Sequence, residues 1–441
     1  MERTIVRAAG RRTGALCRGG AAATLLLAAS CASSRGGLPS APPVELGLSP
    51  SALAAIAPAM QAYVDSGRLA GVTALIVRNG RIGYEQSFGW QDVERGVPLR
   101  EAAVYRIFSM TKPVVAAGVL RLIDQGKLSL EDPVSKYIPS FAGVQVYAGG
   151  GADAPILQAP DSVLTIRHLL THTAGLGYGI GTSPLDTIYQ RAALFDASRT
   201  VEQFADSIAR LPLYFSPGTR FLYSASIDVI GRVIEVASGM PLDRFLHEEL
   251  FRPLDMRDTS FRRRADMDGR LVTLYSQDPE GGLREVTGGL DAMYRPDARF
   301  FWGGGGLLST THDYLRFALM LRNGGELNGR RVLSRESVAL MMRDHLPSSL
   351  SPLGTPPMVD GGYGYGLAGA VLVDSSRSEL PGAEGIYRWS GYVGTYFWID
   401  PANDLIGMVW AQFTPGRTWD LEQEFQRLVY AAVQSRPEGQ R

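Results

Sequence analysis

The sequence predicts an α/β (α+β) fold: an antiparallel sheet built from both chain ends, flanked by helices and carrying an inserted, mostly helical lobe. Strand-like runs occur near the start and near the end of the chain, each accompanied by an amphipathic helix. Between them, from Ser109 to about residue 300, helical segments alternate with Pro, Gly and Asp turns. A cleft is expected where the sheet and the helical lobe meet.

The N-terminal part of the sheet is predicted as a hairpin that follows a helix. Ser49 and Pro50 provide an N-cap and a first-turn proline, and Gly67 ends the helix. The apolar residues of this helix, at helical spacing, are Leu53, Ile56, Met60 and Val64. Two β-rich runs, 71–78 and 82–88, are joined by Asn79-Gly80, a strong signal for a two-residue hairpin turn.

The C-terminal part of the sheet is predicted from two further runs. Residues 387–399 and 405–413 are expected to be paired strands joined across residues 400–404, and a helix is expected over residues 418–434. The whole is expected to be a single domain over residues 49–434. Its α/β lobe would comprise about 49–108 and 301–434, and its helical lobe about 109–300.

Composition and charge exclude several classes of function. The 441 residues are 45% hydrophobic and carry 44 basic and 44 acidic side chains without a block of like charges, so no nucleic-acid partner is expected. Both cysteines, Cys17 and Cys31, precede the predicted domain, which excludes a disulfide or a cysteine metal site within it. The scattered histidines, His312 among them, form no recognised metal-binding pattern, so we expect no metal and no cofactor.

The N-terminus is typical of an export signal. Arginines precede an apolar run from Ala21 to Ala29, and small residues follow around Cys31. The run is shorter than the about 20 apolar residues of a membrane-spanning helix. We therefore expect residues 1–31 to be a signal peptide, residues 32–48 to be a flexible tether, and the protein to be exported. A free periplasmic protein and a lipoprotein attached to the membrane through Cys31 both remain open.

Ser109-Met110-Thr111-Lys112 is the strongest chemical signal in the chain. A serine three residues before a lysine at a helix start places both side chains on one face, where the lysine can take the serine proton. Of the 44 basic residues only three are lysine. Because arginine stays protonated and cannot act as a base, lysine at this position indicates chemistry. The helix start also leaves backbone N–H groups, including that of Ser109, free to bind an oxyanion.

Phe108-Ser109-Met110-Thr111-Lys112-Pro113 resembles the nucleophile segment of C-type serine β-lactamases and of carboxylesterases with the same fold. Four later segments resemble this superfamily, which includes penicillin-binding proteins, in the same order: 169–176, 223–239, 251–261 and 303–317. The resemblance covers about residues 50–434. It implies a β-lactamase/transpeptidase-like fold and an acyl-enzyme formed on Ser109.

The resemblance also implies the remaining site residues. Tyr223, in Tyr223-Ser224-Ala225, stands where the family has a tyrosine facing the nucleophile, and whether it or Lys112 is the base stays open. Trp389, Ser390 and Gly391 resemble the strand segment that lines the cleft in the esterases, and the N–H of Tyr392 would be the second oxyanion donor.

Two departures from the β-lactamase pattern favour an ester over a β-lactam. Ala225 replaces an amide side chain, and Trp389 replaces the lysine that pairs with a β-lactam carboxylate. We expect a serine hydrolase whose partner is a small-molecule ester, most simply a carboxylesterase for short-chain esters. The alternatives are a D-alanyl peptidase or β-lactamase, an acyltransferase, and a non-catalytic envelope protein that retains the fold.

Overall fold

A central antiparallel sheet joins the two ends of the chain, as predicted. The computed structural model describes residues 37–351, 353 and 361–434. The strands within these residues are β1 (Gly71–Arg78), β2 (Arg81–Asp92), β3 (Val97–Pro98), β4 (Tyr105–Arg106), β5 (Val146–Gly151), β6 (Ala154–Gln158), β7 (Tyr275–Gln277), β8 (Leu283–Glu285), β9 (Leu308–Ser309), β10 (Glu326–Leu327), β11 (Arg330–Arg331), β12 (Tyr363–Tyr365), β13 (Ala370–Leu372), β14 (Tyr387–Gly391), β15 (Thr395–Asp400) and β16 (Leu405–Trp410). The sheet order is β12-β13-β14-β15-β16-β1-β2-β3.

Helices flank this sheet and fill the inserted lobe. In the same described residues the α-helices are α1 (Pro50–Leu53), α2 (Ile56–Asp65), α3 (Thr111–Asp124), α4 (Ile166–Leu170), α5 (Pro184–Arg191), α6 (Val201–Ile208), α7 (Ser226–Ser238), α8 (Leu242–Leu246), α9 (Thr311–Arg322), α10 (Arg335–Met341) and α11 (Leu421–Ala432). The helical lobe also holds two antiparallel hairpins, β5–β6 and β7–β8. No helix of the described residues is long and apolar enough to cross a bilayer.

The first and last thirds of the chain meet at the pair β1–β16, whose register runs from Thr73 opposite Trp410 to Arg78 opposite Leu405. Every residue of β1 is buried, as expected for a central strand covered on both faces. α2 packs against β1, and α11 packs against β16 and α2. The predicted hairpin 71–88 is confirmed, with Asn79 and Gly80 both at positive φ in its turn.

The sequence prediction of one strand over residues 387–399 was wrong. The structure divides this run into β14 and β15, which pair with each other from Tyr387 opposite Ile399 to Gly391 opposite Thr395. A tight turn is allowed there because Gly394 adopts a φ of +86°. The signals for this turn in the sequence are Ser390-Gly391 and Gly394. The C-terminal helix is also shorter than predicted, Leu421–Ala432.

The predicted tether over residues 32–48 is corrected where the structure describes it. Leu38, Leu46 and Leu48 are buried, and Pro43–Leu46 forms a 3-10 turn. Backbone bridges tie Ser40 to Ile82 and Leu48 to Val433. The leucines thus add this segment to the core despite its Pro and Gly content. The predicted signal peptide, 1–31, with Cys17 and Cys31, lies outside the described residues.

Candidate active site

Ser109 lies in the 3-10 turn Phe108–Met110 that leads directly into α3. This turn packs against β14 and β15, which brings the predicted nucleophile to the sheet. Phe108 has a φ of +42°, a left-handed conformation that costs free energy in a bulky residue and is often stored at functional sites. Its ring makes edge-to-face contacts with Trp302 and Tyr294, at centroid distances of 5.7 and 6.3 Å. These contacts help hold the strained turn in place.

The structure brings the three predicted catalytic side chains together. Lys112 Nζ lies 3.1 Å from Ser109 Oγ, and Tyr223 Oη lies 2.7 Å from the same oxygen. Tyr223 reaches this point from the loop before α7, 114 residues further along the chain. Both neighbours can therefore exchange a proton with the serine hydroxyl in one hydrogen-bonded step.

Burial differs among these three side chains. Lys112 is 0% exposed, whereas Ser109 and Tyr223 are only partly buried. Lys112 Nζ also donates to the Gly304 carbonyl at 2.6 Å and lies 4.7 Å from the centre of the Tyr223 ring. Ser109 thus keeps part of its surface exposed, while the buried lysine is held in place by its contacts with Ser109, Gly304 and Tyr223.

Sequence reasoning missed Asp228, a buried carboxylate in the first turn of α7. Its Oδ1 accepts from the Gly304 N–H at 2.8 Å. Burial raises the pKa of this carboxyl to about 7, although the nearby Lys112 charge and the Gly304 hydrogen bond lower it. An acidic residue at a helix start is ordinarily explained by the helix dipole. For this reason Asp228 does not stand out in the sequence as a candidate site residue. The signal that could have revealed it is a charge within an apolar run, Ile227 to Ile230.

His172 lies beside the catalytic cluster and packs against Tyr223, with ring centroids 4.6 Å apart. Its Nδ1 accepts from the Ser224 N–H at 3.2 Å. Burial, with a further contribution from the Lys112 charge, holds the pKa of the imidazole well below its usual value. A neutral His172 therefore helps to orient the loop that carries Tyr223.

The sheet side of the nucleophile is formed by the end of β14. The Trp389 ring lies 5.3 Å from the Tyr223 ring. A side chain at Gly391 would collide with the Ile107 carbonyl and with Thr395 Oγ1, so only glycine allows this close approach. Tyr392 follows directly and is 55% exposed, and Ser390 Oγ accepts from Arg417 Nη2 at 3.1 Å. The cleft segment predicted from the sequence thus borders Ser109, and the oxyanion roles of the Ser109 and Tyr392 N–H groups remain predictions.

The structure places two carboxylates beside His312, which the spacing of the sequence did not indicate. His312 lies between Glu85 and Glu101, with Nε2–O and Nδ1–O distances of 2.8 and 3.3 Å. These residues are far apart in the sequence, which hides the cluster from any spacing argument. Burial opposes protonation, but the Glu85 hydrogen bond and the two carboxylates raise the pKa of His312. The imidazole therefore forms ion pairs with both carboxylates when it is protonated, and the same three side chains are spaced as metal ligands would be.

Comparison with known proteins gives this geometry a family. A family model described as Beta-lactamase matches residues 56–431. The chain belongs to the beta-lactamase family. The resemblance predicted from the Ser109 segment is thereby confirmed, together with the mixed α/β fold.

Relatives within the beta-lactamase family include esterases and acyltransferases. An uncharacterized protein of Mycobacterium tuberculosis is 36% identical over 363 residues, covering 81% of this chain and 89% of its own. Esterase EstB of Burkholderia gladioli is 31% identical, covering 77% and 84%. The solved structure of EstCE1, "a hydrolase with promiscuous acyltransferase activity", has a TM-score of 0.75 and 28% identity and covers 86% and 99%.

Proposed function

We propose that this protein is a carboxylesterase that forms an acyl-enzyme on Ser109. The observation that carries the proposal is the convergence of Lys112 Nζ and Tyr223 Oη on Ser109 Oγ. A serine hydroxyl becomes an effective nucleophile when a neighbouring base accepts its proton. Two adjacent groups, one buried and cationic in its protonated form, provide such a base.

In the proposed reaction Ser109 Oγ attacks the ester carbonyl carbon while its proton moves to the Lys112–Tyr223 pair. The carbonyl oxygen becomes an oxyanion that the N–H groups of Ser109 and Tyr392 stabilise. The pair then returns the proton to the leaving alkoxide, and the C–O bond of the ester breaks. Water attacks the acyl-enzyme with the same proton transfers in reverse, which releases the acid and restores Ser109.

The walls of the cleft support an apolar ester. Trp389 supplies an indole where a charged side chain would favour a carboxylate-bearing β-lactam. A cavity of about 700 Å³ begins at Tyr178, whose ring lies 5.9 Å from the Tyr223 ring, and extends past Phe195 and Met293. Arg199 and Arg295 lie at the same cavity. Ser109, Tyr223 and Trp389 are not among the residues that line this cavity, so a series of acyl lengths tests whether an acyl chain bound to Ser109 reaches it.

Acyl transfer to an alcohol is the second candidate, because the similar structure EstCE1 is that of a hydrolase with promiscuous acyltransferase activity. The acyl-enzyme is common to both reactions, and only the acceptor differs. Product analysis by mass spectrometry with an alcohol acceptor present separates them, because transfer yields a new ester. If only the free acid forms at high alcohol concentration, acyl transfer is contradicted and hydrolysis remains as the single candidate reaction.

We also propose that the protein is exported to the periplasm, with Cys31 as an alternative lipid-attachment site. The support is the sequence of residues 1–31 with its arginines and apolar run. Cell fractionation of the full chain tests export. Loss of membrane association in Cys31→Ser would indicate lipidation, and an unprocessed cytoplasmic chain would contradict the proposal.

The decisive test of the esterase proposal is Ser109→Ala. We expect the kcat/KM for p-nitrophenyl butyrate to fall by about 10⁴-fold or more, because the nucleophile is lost. Labelling by a fluorophosphonate probe should disappear as well. Ser376→Ala, which removes an exposed serine hydroxyl, is the matched control and should remain fully active. Unlabelled wild type, or an active Ser109→Ala, would contradict the proposal.

A further inference from the structure

Asp228 is a fully buried carboxylate that the proposed mechanism does not use. Its Oδ1 accepts from the Gly304 N–H, but Oδ2 has no hydrogen-bond partner within the described residues. An unpaired oxygen on a buried acid destabilises a fold. A function of this carboxylate would account for its presence.

Gly304 connects Asp228 to the catalytic lysine. Its N–H donates to Asp228 Oδ1 at 2.8 Å, and its carbonyl accepts from Lys112 Nζ at 2.6 Å. A Cβ at this position would lie 2.6 Å from Asp228 Oδ2. Glycine therefore lets the segment pass between the two charged side chains, and Asp228 and Lys112 hold the same residue from opposite sides.

We infer that Asp228 is a positioning residue: it holds Gly304 so that the Gly304 carbonyl fixes Lys112 beside Ser109. The inference rests on the proposed function, since it assigns a role within the same site. The charged carboxylate accepts from the Gly304 N–H more strongly than the protonated acid does. The hold on Gly304 therefore weakens as the pH falls through about 7, where Asp228 gains a proton.

The other titratable groups around this pair are His172, Tyr178 and Tyr223. Burial and the Lys112 charge keep the pKa of His172 well below its usual value. Burial and the charge of Asp228 keep the pKa of Tyr178 well above its usual value. Both groups therefore stay neutral near pH 7, whereas the pKa of Asp228, raised by burial to about 7, lets its charge change there.

The experiment compares Asp228→Asn with Asp228→Ala by measuring kcat and KM for p-nitrophenyl butyrate between pH 5 and 9. Asparagine keeps an acceptor for the Gly304 N–H but lacks the charge. We expect its acid limb of kcat/KM to move to lower pH by about 1 unit, with kcat at high pH largely retained. Alanine removes the acceptor as well, so kcat should fall by about 10- to 100-fold, as is typical for loss of a partner that orients a catalytic side chain.

Asp313→Asn is the matched control. Asp313 is likewise a buried carboxylate, and burial raises its pKa to about 6. It accepts from the Asp258 N–H and from Thr259 Oγ1, away from the Lys112–Gly304 link. This substitution should change the melting temperature but not the pH profile. Gly304→Ala disturbs the same Asp228–Gly304–Lys112 contacts, because its Cβ would lie 2.6 Å from Asp228 Oδ2. It should reproduce the loss of kcat even if Asp228→Ala fails to fold.

The inference is overturned if Asp228→Asn leaves the acid limb in place while Gly304→Ala retains wild-type kcat. A lower melting temperature alone, as expected for Asp313→Asn, would reduce Asp228 to a structural residue. Failure of the esterase proposal would look different, since wild-type protein would not react with the fluorophosphonate probe. If wild type is labelled but hydrolyses esters poorly, the pH dependence of the labelling rate provides the same comparison.

Discussion

Ser109 lies between two groups of residues, here called walls, which contact it in different ways. On the helical side, Lys112 and Tyr223 reach it through hydrogen bonds, and the lysine is fully buried. On the sheet side, Gly391 allows a close backbone approach, and Trp389, which is only 5% exposed, packs its ring against Tyr223. In the proposed mechanism the first wall directs proton transfer, and the second wall limits how a substrate approaches Ser109. We therefore expect substitutions on the helical side to act on kcat and those in the aromatic part of the sheet side to act on KM.

Lys112→Met should have the largest effect in this comparison. Methionine fills the same buried space without a base, so kcat/KM should fall by about 10³-fold, within the range typical of a general base. The measurement is steady-state hydrolysis of p-nitrophenyl butyrate. Lys127→Met, which removes an exposed lysine, is the control. Retention of more than a tenth of the wild-type rate would make Tyr223 the sole base.

Gly391→Ala should have an intermediate effect, because the substitution lies in the sheet-side wall but also displaces the turn that carries Ser109. The new Cβ would collide with the Ile107 carbonyl, two residues before Ser109, and with Thr395 Oγ1. We expect a loss of about 1–3 kcal/mol in the free energy of unfolding and about a 10-fold lower kcat, because the nucleophile turn shifts. Urea unfolding and kinetics measure both. Gly143→Ala, where a Cβ meets nothing within 4 Å, should leave both values unchanged.

Trp389→Phe should have the smallest effect. It keeps an aromatic ring beside Tyr223 but removes the indole N–H, which has no partner within the described residues. We expect KM to change by about two- to fivefold across an acyl-length series, with kcat close to wild type, because a reduced contact area alters substrate binding by about 1 kcal/mol. Trp90→Phe, at a side chain 42% exposed, is the control. An equal fall in kcat would show that both walls act on the same step.

The sequence predicted the helical wall only in part. The spacing of Ser109 and Lys112 was sufficient for that pair, because three residues along a helix fix their separation. Tyr223 required a family resemblance, since no local pattern relates residues 114 positions apart. Asp228 and Gly304 were missed because their roles arise only when the 303–306 segment passes over the start of α7.

The sheet was predicted more completely than its turns. Two β-rich runs and the Asn79-Gly80 turn indicate β1 and β2, and runs of apolar residues indicate the C-terminal strands. The turn between β14 and β15 is marked by Ser390-Gly391 and Gly394, but the buried strands on either side of it are similar in composition, so the run was interpreted as one strand. The tether over residues 32–48 was misjudged for the opposite reason. Its composition is typical of a linker, while three leucines suffice to bury it from Leu38 onward.

Phe108, which has a positive φ directly before Ser109, connects the backbone turn of Ser109 to aromatic residues near it. The ring of Phe108 contacts Trp302 and Tyr392, and Tyr392 is among the exposed aromatic residues of the structure. Substitutions of these aromatic residues that make room for a bulkier substrate therefore also remove contacts that hold the turn of Ser109 in place. This limits how the protein can adapt to new esters. Smaller side chains in place of these rings would make room for a substrate but would also disturb the position of Ser109, unless another aromatic residue replaced the lost contacts.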